Sequence, residues 1–361
     1  MQQPHPFHMD GEAVGDIAPF RSLVAVVVTH NRLPKLKQTV LRLLSCPPQQ
    51  LAALVIVDNA STDGTAPWLA ALPSKRVKVI SNPRNLGGAG GFEQGMRAAV
   101  RAYDPDWLVL MDDDARPCRA ALAAFQARDR SDAEAWAAAV YHPGGRICDI
   151  NRPSRNPFWH WRVMCQTVLG GGRNGFHIGE SEYLAETSCE IDGASFVGFF
   201  ISRAGIERAG YPDGSMFIYG DDVLYALNLR AKGGKILFDP GLVFEHDFST
   251  IGADDKRFRP LWKSYYHYRN LLLVYRLCSG PWFALVGPAA AIKWLLKLRH
   301  YKGQRLPFLR LVLRALRDGF LARTSVDHGC VLRWSEQDER SPSAQPLNPL
   351  QNTPVMPVKK G

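Results

Sequence analysis

Several features that would assign a common function class are missing from this sequence of 361 residues. The seven cysteines are scattered and none forms a C-x-x-C pair, which argues against a zinc site or a disulfide framework and for a reducing compartment. There is no GxxxxGK[ST] motif, and Glu93 stands where a G-x-G-x-x-G motif starting at Gly88 needs a glycine. A P-loop and an NAD-binding fold are therefore both disfavoured.

Membrane-targeting signals are also missing. Residues 1–16 have no basic region followed by an apolar one, so we expect no signal peptide. The longest apolar run, residues 282–296, contains Pro288 and Lys293 and is shorter than the roughly twenty residues that cross a bilayer. We therefore expect a cytoplasmic protein, with peripheral attachment to the inner face of the cytoplasmic membrane left open.

The net charge of +10 and the pI of about 9.3 indicate an anionic partner. No nucleic-acid-binding motif accompanies the charge, so nucleic acid is disfavoured. Residues 282–317 alternate Lys and Arg with Trp, Phe and Leu, the pattern of an interfacial helix on an anionic membrane. The alternative is the solvated face of core helices.

Alternating apolar segments predict an α/β fold. Buried strands are expected at residues 23–28, 54–57, 77–80 and 107–111, with helices at 35–45 and 92–102. This order implies a mostly parallel, doubly wound sheet with helices on both faces, whose ligands bind at the carboxyl ends of the strands. The predicted divisions are a flexible lead-in (1–20), a catalytic domain (21–255, with halves 21–115 and 116–255), a basic amphipathic helical region (256–330) and a disordered tail (331–361).

Polar segments follow each predicted strand of the first half. Asp112, Asp113 and Asp114 end the fourth strand, and three adjacent carboxylates suit Mg²⁺ or Mn²⁺ with diphosphate oxygens on its far side. A solvated acidic turn is the alternative. The glycine-rich segment 87–91 is expected to be a loop that lets a ligand approach the backbone before helix 92–102.

The ordered set THNR, VDNASTDGT, NLGGAGGF, MDDD and FIYGDD resembles family 2 glycosyltransferases with a GT-A fold, and most closely their galactofuranosyltransferase branch. The resemblance covers roughly residues 22–250. It implies a nucleotide-sugar donor site in which Asp58 binds the uracil imide and Thr29 and Arg32 line the base and ribose. It also implies that Arg84 and Asn85 lie near the diphosphate or sugar, beside Gly88.

The same resemblance implies the remaining roles. Asp112 and Asp113 belong to the donor site, and the metal ligands are Asp112, Asp114 and His246. A lone histidine after an apolar strand is otherwise more often structural. Asp222 is the expected general base and Asp221 the residue that orients the acceptor, with these two roles open to reversal; the alternative for both is helix capping.

We therefore expect a metal-dependent inverting glycosyltransferase that uses a UDP-sugar, with UDP-galactofuranose as the first choice, and a glycan or lipid-linked glycan acceptor. Another sugar nucleotide such as dTDP-rhamnose is the nearest alternative. A sugar-phosphate nucleotidyltransferase would need a glycine-rich loop directly after the first strand, where this chain has Thr29, His30, Asn31 and Arg32. A noncatalytic nucleotide-sugar-binding protein is the third reading.

Overall fold

The computed structural model describes residues 21–247 and 257–339. The predicted lead-in at 1–20 and the tail from residue 340 lie outside the described residues. The strands are β1 (Leu23–Thr29), β2 (Ala53–Asp58), β3 (Val77–Ser81), β4 (Trp107–Asp112), β5 (Ala115–Pro117), β6 (Ala135–Tyr141), β7 (Cys189–Ile191), β8 (Phe199–Ser202) and β9 (Ile236–His246). The helices are α1 (Leu33–Leu44), α2 (Thr65–Ala70), α3 (Gly87–Tyr103), α4 (Ala121–Ala127), α5 (Trp161–Gln166), α6 (Glu180–Tyr183), α7 (Arg203–Ala209), α8 (Asp221–Ala231), α9 (Lys263–Ser279), α10 (Phe283–Leu295), α11 (Arg305–Phe320) and α12 (His328–Glu339).

One sheet organises these elements, in the order β3-β2-β1-β4-β8-β6-β9-β5, with β7 paired to β9. Strands β1 to β4 are parallel, and β6 and β9 are parallel to each other. Strands β5, β7 and β8 run antiparallel to their neighbours. The prediction of an α/β fold around a mostly parallel sheet is confirmed.

Helices cover both faces of the sheet because successive residues of β1 point to opposite sides. Val27 packs in one core cluster with Leu36 of α1. Val26 packs in a second cluster with Phe92 and Met96 of α3. A strand buried on both faces explains why β1 reads as a continuous apolar run.

Helix α3 starts at Gly87, five residues before the predicted start, so the expectation of a glycine-rich loop is wrong. Its glycines are packing positions: a Cβ on Gly91 would lie 2.4 Å from Val28 Cγ1, and one on Gly95 would lie 2.4 Å from Val26 Cγ1. The helix can therefore approach β1 closely only because these residues lack side chains. Gly88 differs, since a Cβ there would meet nothing within 4 Å.

Helices α9 to α12 form a third apolar cluster around Tyr265, Tyr268, Leu272 and Phe308. Residues 331–339 lie in α12, so the predicted disorder from residue 331 is wrong for this part, which Val331 anchors in the cluster. The helical path Lys263–His300 is long and apolar enough, by length and composition alone, to cross a membrane. The apolar run 282–296 alone is too short to predict such a span. The helical path is longer because α9 continues into α10.

Candidate active site

The carboxyl ends of the parallel strands bring the predicted donor-site segments to one edge. Thr29 at the end of β1 lies in register with Asp58 at the end of β2. On its other side β1 pairs with β4, where Val28 lies opposite Asp112. Sequence segments more than 80 residues apart therefore meet at this edge, as the fold class predicts.

Asp112, Asp114 and His246 form a candidate metal centre. Each offers one ligand atom, and these atoms all lie within 4.8 Å of one another. The pairing of β5 with β9 explains the proximity, because Ala115, next to Asp114, lies opposite His246. Two carboxylate oxygens and an imidazole nitrogen form a donor set that suits Mn²⁺, and the carboxylates also suit Mg²⁺.

Asp113 faces a different set of partners. Its Oδ2 accepts a hydrogen bond from Thr29 Oγ1 at 2.7 Å, and its Oδ1 lies 3.6 Å from Arg32 Nη1. The same guanidinium nitrogen donates to Asp114 Oδ2 at 2.6 Å. Arg32 is therefore the cation that offsets part of the acidic charge. Its side chain is 40% exposed, which leaves it room to turn towards a bound phosphate.

Burial and mutual repulsion set the ionisation of the triplet. Burial, followed by the charges of Asp114 and Asp113, raises the pKa of Asp112 well above its usual value. Burial raises the pKa of Asp113 to about 6. Burial also opposes ionisation of Asp114, but the hydrogen bond with His246 and the charges of His246 and Arg32 lower the pKa of this carboxyl. A divalent cation would favour the ionised form of all three.

Asn151 orients the histidine of this centre and was not predicted. His246 Nδ1 lies 2.7 Å from Asn151 Oδ1, which can only accept, so Nδ1 carries a proton and donates it to this hydrogen bond, while Nε2 lies 3.1 Å from Asp114 Oδ1. Asn151 Nδ2 in turn donates to Ser195 Oγ at 2.8 Å. Sequence reasoning missed these residues because the segment around Asn151 carries no motif and follows no predicted strand.

Asp58 occupies the position expected for recognition of the base. The residue is buried, and one of its carboxylate oxygens accepts a hydrogen bond from Ser61 N at 2.9 Å. The neighbouring Asn59 donates to Gly87 O at 2.8 Å, which ties β2 to the start of α3. Asn82 donates to Asn59 Oδ1 at 2.9 Å and completes this network.

Arg84, Asn85 and Gly88 lie beside this network with different surroundings. Arg84 is exposed and pairs with Asp327 at 3.6 Å. Asn85 Oδ1 accepts a hydrogen bond from Gly87 N at 2.7 Å and so supports the start of α3. The open space at Gly88 is where a ligand can reach the first turn of this helix.

Asp221 and Asp222 are the first two residues of helix α8. Asp222 Oδ1 accepts a hydrogen bond from Val223 N at 2.7 Å, so it also serves the helix start. Burial, together with the charge of Asp222, raises the pKa of Asp221 to about 8, and burial raises the pKa of Asp222 to about 6. The charge of Asp222 contributes to the raised pKa of Asp112, which places this pair within electrostatic reach of the triplet.

A shallow depression of about 710 Å³ lies elsewhere, between α1 and β5. Its lining includes Arg42, Arg116 and Arg119 and none of the predicted site residues. The polar edge described above is the better candidate site, because it gathers titratable groups with shifted pKa values.

Comparison with known proteins agrees with this geometry. Residues 24–170 match the family described as Glycosyl transferase family 2. Galactofuranosyltransferase GlfT1 of Mycobacterium tuberculosis is 30% identical over 210 residues, which are 56% of this chain and 62% of that protein. Galactofuranosyltransferase GlfT2 of Mycolicibacterium smegmatis is 27% identical over 312 residues, which are 78% of this chain and 46% of that protein. The chain thus spans less than two thirds of the length of these relatives.

Solved structures support the fold. GalNAc-T7 in complex with UDP, GalNAc and Mn²⁺ superposes with a TM-score of 0.51 at 16% identity, covering 72% of this chain and 48% of that one. Residues 1–349 of S. aureus TarS in complex with UDP-GlcNAc superpose with a TM-score of 0.50 at 14% identity, covering 88% of each chain. Residues 24–170 of this chain are a glycosyltransferase domain of family 2, the fold is GT-A, and galactofuranosyltransferases are among the relatives.

Proposed function

We propose that the protein is a metal-dependent inverting glycosyltransferase that moves galactofuranose from UDP-galactofuranose onto a glycan or lipid-linked glycan. The observation that carries the proposal is the convergence of Asp112, Asp114 and His246 within 4.8 Å, at the sheet edge that also holds Asp58. The choice of donor rests on the names of the relatives. The choice of UDP rests on Asp58 at the position expected for the base.

The donor is held by several side chains in this proposal. Asp58 accepts a hydrogen bond from the uracil imide, while the amides of the first turn of α3 at Gly88 face the diphosphate or sugar. Arg32 exchanges its contact with Asp114 for a phosphate oxygen. Mn²⁺ or Mg²⁺, held by Asp112, Asp114 and His246, would offset the charge of the diphosphate.

Transfer requires one proton acceptor. The acceptor hydroxyl gives its proton to the carboxylate of Asp222 while its oxygen forms a bond to C1 of the sugar. The bond from C1 to the diphosphate oxygen breaks, and its electron pair leaves with UDP. Attack on the face opposite the leaving group inverts the configuration at C1. Asp221, whose pKa of about 8 keeps it protonated at neutral pH, can donate a hydrogen bond to the acceptor.

In this proposal the C-terminal helices hold the active site at an anionic membrane surface. Trp282, Leu285 and Ile292 are 61–66% exposed and follow the spacing of a single helix face along α10. Exposed cations, including Lys293 and Arg299, flank this face. A lipid-linked acceptor would be presented at such a surface.

The test is a panel of sugar nucleotides incubated with the protein and Mn²⁺, with UDP or dTDP release as the readout. We expect UDP-galactofuranose to be used best, and dTDP-rhamnose poorly. Asp222→Asn should abolish turnover but keep the affinity for UDP. Asp129→Asn is the matched control, because this exposed carboxylate pairs only with Arg21 and Ser131 in the described structure. Turnover by Asp222→Asn would refute the role of Asp222 as the general base. The absence of nucleotide release from every donor would refute the proposal that the protein is a glycosyltransferase.

A further inference from the structure

Asp221 and Asp222 are presented by a loop with an unusual backbone. Phe217 has φ +66° and ψ −64°, and Ile218 N donates to Met216 O at 2.8 Å across it, which defines a γ-turn of the rare positive-φ type. Tyr219 follows with φ +71° and Gly220 with φ +77°. Positive φ at two non-glycine residues is strained and persists only where the surroundings impose it.

Two buried side chains of α9 impose this conformation. Asn270 Nδ2 lies 3.0 Å from Met216 O, 2.9 Å from Ile218 O and 2.8 Å from Tyr219 O. Arg269 donates to Met216 O at 2.9 Å, and its Nε donates to Asn270 Oδ1 at 2.8 Å. The NH2 group of a single amide thus lies within hydrogen-bond distance of three carbonyl oxygens, on both sides of the γ-turn.

The burial of Arg269 indicates that its hydrogen bonds to the loop at 216–220 serve more than the stability of the fold. The side chain is fully buried, and in the described part of the chain its hydrogen bonds go to backbone carbonyls and to Asn270, with no carboxylate within ion-pair distance. The rings of Tyr265 and Tyr266 lie 5.3 and 5.0 Å from its guanidinium. Burying a cation against neutral acceptors is costly, so a hydrophobic residue would stabilise the fold more simply.

The opposite side of the loop is held by the donor half. Ala89 N donates to Phe217 O at 3.1 Å, and a Cβ on Gly87 would lie 2.0 Å from that oxygen. The Phe217 ring stacks on Tyr266 of α9, at 4.8 Å, and on His328 of α12, at 4.0 Å. The loop therefore joins the first turn of α3 to the C-terminal helices, directly before the two aspartates.

We propose that Arg269 and Asn270 are positioning residues for Asp222: they fix the loop 216–220 so that its carboxylate meets the acceptor hydroxyl. This inference rests on the proposed function, in which Asp222 removes the proton. It makes the C-terminal helical region part of the catalytic architecture rather than an appendage. Misplacing a reacting group by about 1 Å can cost on the order of 10²-fold in rate.

Asn270→Asp is the sharpest variant. The carboxylate keeps the size of the side chain and can pair with Arg269 Nε, but it removes the donors to the three carbonyls. We expect kcat to fall about 10²-fold, with the KM for donor and the Kd for UDP within twofold of the unaltered protein. Asn270→Ala should behave in the same way. Asn228→Ala is the control. Asn228 lies on the part of α8 far from the loop, and it also donates to a backbone carbonyl, that of Ala209.

Hydrogen exchange of residues 216–222 provides a readout that does not need turnover. We expect faster exchange there in both Asn270 variants and unchanged exchange in β1 and β2. Unchanged kcat and exchange in a folded variant would overturn the inference. Loss of UDP binding, or failure of both variants to fold, would overturn it too, because α9 would then support the whole domain. No turnover by the unaltered protein would instead count against the proposed function and leave the exchange result to decide this inference.

Discussion

Asp222 is the side chain whose protonation controls the proposed transfer. Burial raises its pKa to about 6, and a base must be ionised to accept a proton. We therefore expect kcat/KM to be constant near neutral pH and to fall with unit slope as the pH drops below about 6. A rate profile between pH 4.5 and 9 in the presence of saturating Mn²⁺ measures this.

The neighbouring Asp221 allows a control for that profile. Its pKa of about 8 means that it is protonated where Asp222 is ionised. Asp221→Asn keeps a hydrogen-bond donor at this position and replaces a carboxyl that is already neutral near pH 6, so the fall in kcat/KM below about pH 6 should remain in this variant. A profile that stays flat to pH 4.5 would show that another group accepts the proton.

Site residues differ in how far the sequence could predict them. Asp112 and Asp114 come at the end of a predicted strand, the resemblance to the family adds His246 as a metal ligand, and the structure brings all three together. Asn151 could not be found in this way. Its role depends on the position of the His246 ring, which only the pairing of β5 with β9 defines.

Asn151 gives a second prediction. Removing a group that orients a metal-ligating histidine usually weakens metal binding by about 10- to 100-fold. Asn151→Ala should weaken Mn²⁺ binding to that extent, as measured by electron paramagnetic resonance of free Mn²⁺ in a titration. Asn174→Ala, at an exposed position of the chain, is the control and should bind as the unaltered protein does. Equal affinity of both variants would refute the role of Asn151.

Strands and helices follow from the sequence where burial dominates. Strands β1 to β4 were predicted to within two residues. β1, β2 and β4 are buried, but β3 lies at the edge of the sheet with Lys78 and Val79 exposed, so the expectation that it is a buried strand is wrong. The start of α3 was not predicted, because five residues from Gly87 include four glycines, which disfavour an isolated helix. Close packing on β1 outweighs this preference, and that packing depends on the position of the sheet, which sequence periodicity does not contain.

Glycine positions of α3 therefore have opposite consequences. A Cβ on Gly91 would lie 2.4 Å from Val28 Cγ1, whereas one on Gly88 would meet open space. Gly91→Ala should lower the free energy of unfolding by about 1–3 kcal/mol. Gly88→Ala should leave it unchanged or raise it by up to about 1 kcal/mol, because alanine is the better helix former. Urea unfolding of the ligand-free protein measures both.

The same pair tests the donor site. Gly88→Ala should weaken UDP-sugar binding despite its intact stability, because its methyl group enters the space left for the ligand. Unchanged donor affinity in this variant would place the ligand away from the first turn of α3. An unchanged free energy of unfolding for Gly91→Ala would contradict the packing role of that glycine.

The whole molecule combines a domain whose fold the sequence predicts with a C-terminal helical region whose contacts it does not predict. Composition and periodicity predicted a basic amphipathic helical region at 256–330. Helices α9, α10 and α11 lie within these bounds, and α12 extends beyond them. Their contact with the loop at Phe217 could not be read from the sequence, because it joins Asn270 to backbone carbonyls of a distant segment and leaves no pattern in either. The division of the chain at 255 and 256 remains a prediction.

The proposed membrane docking depends on this whole arrangement, because it combines the exposed apolar face of α10 with the cations around it. We expect the protein to sediment with vesicles of phosphatidylcholine and phosphatidylglycerol at moderate salt, and less with phosphatidylcholine alone. The double variant Leu285→Glu, Ile292→Glu removes apolar burial at two positions and adds repulsion, so the affinity for anionic vesicles should fall at least about tenfold.

Leu41→Glu is the control, because Leu41 is 63% exposed on α1 and lies in the other part of the fold. UDP release from the donor during transfer to a soluble acceptor should be unchanged in both variants. Equal sedimentation of the double variant and the control would show that α10 does not contact lipid, whereas equal binding to both kinds of vesicle would show that the cations do not contribute.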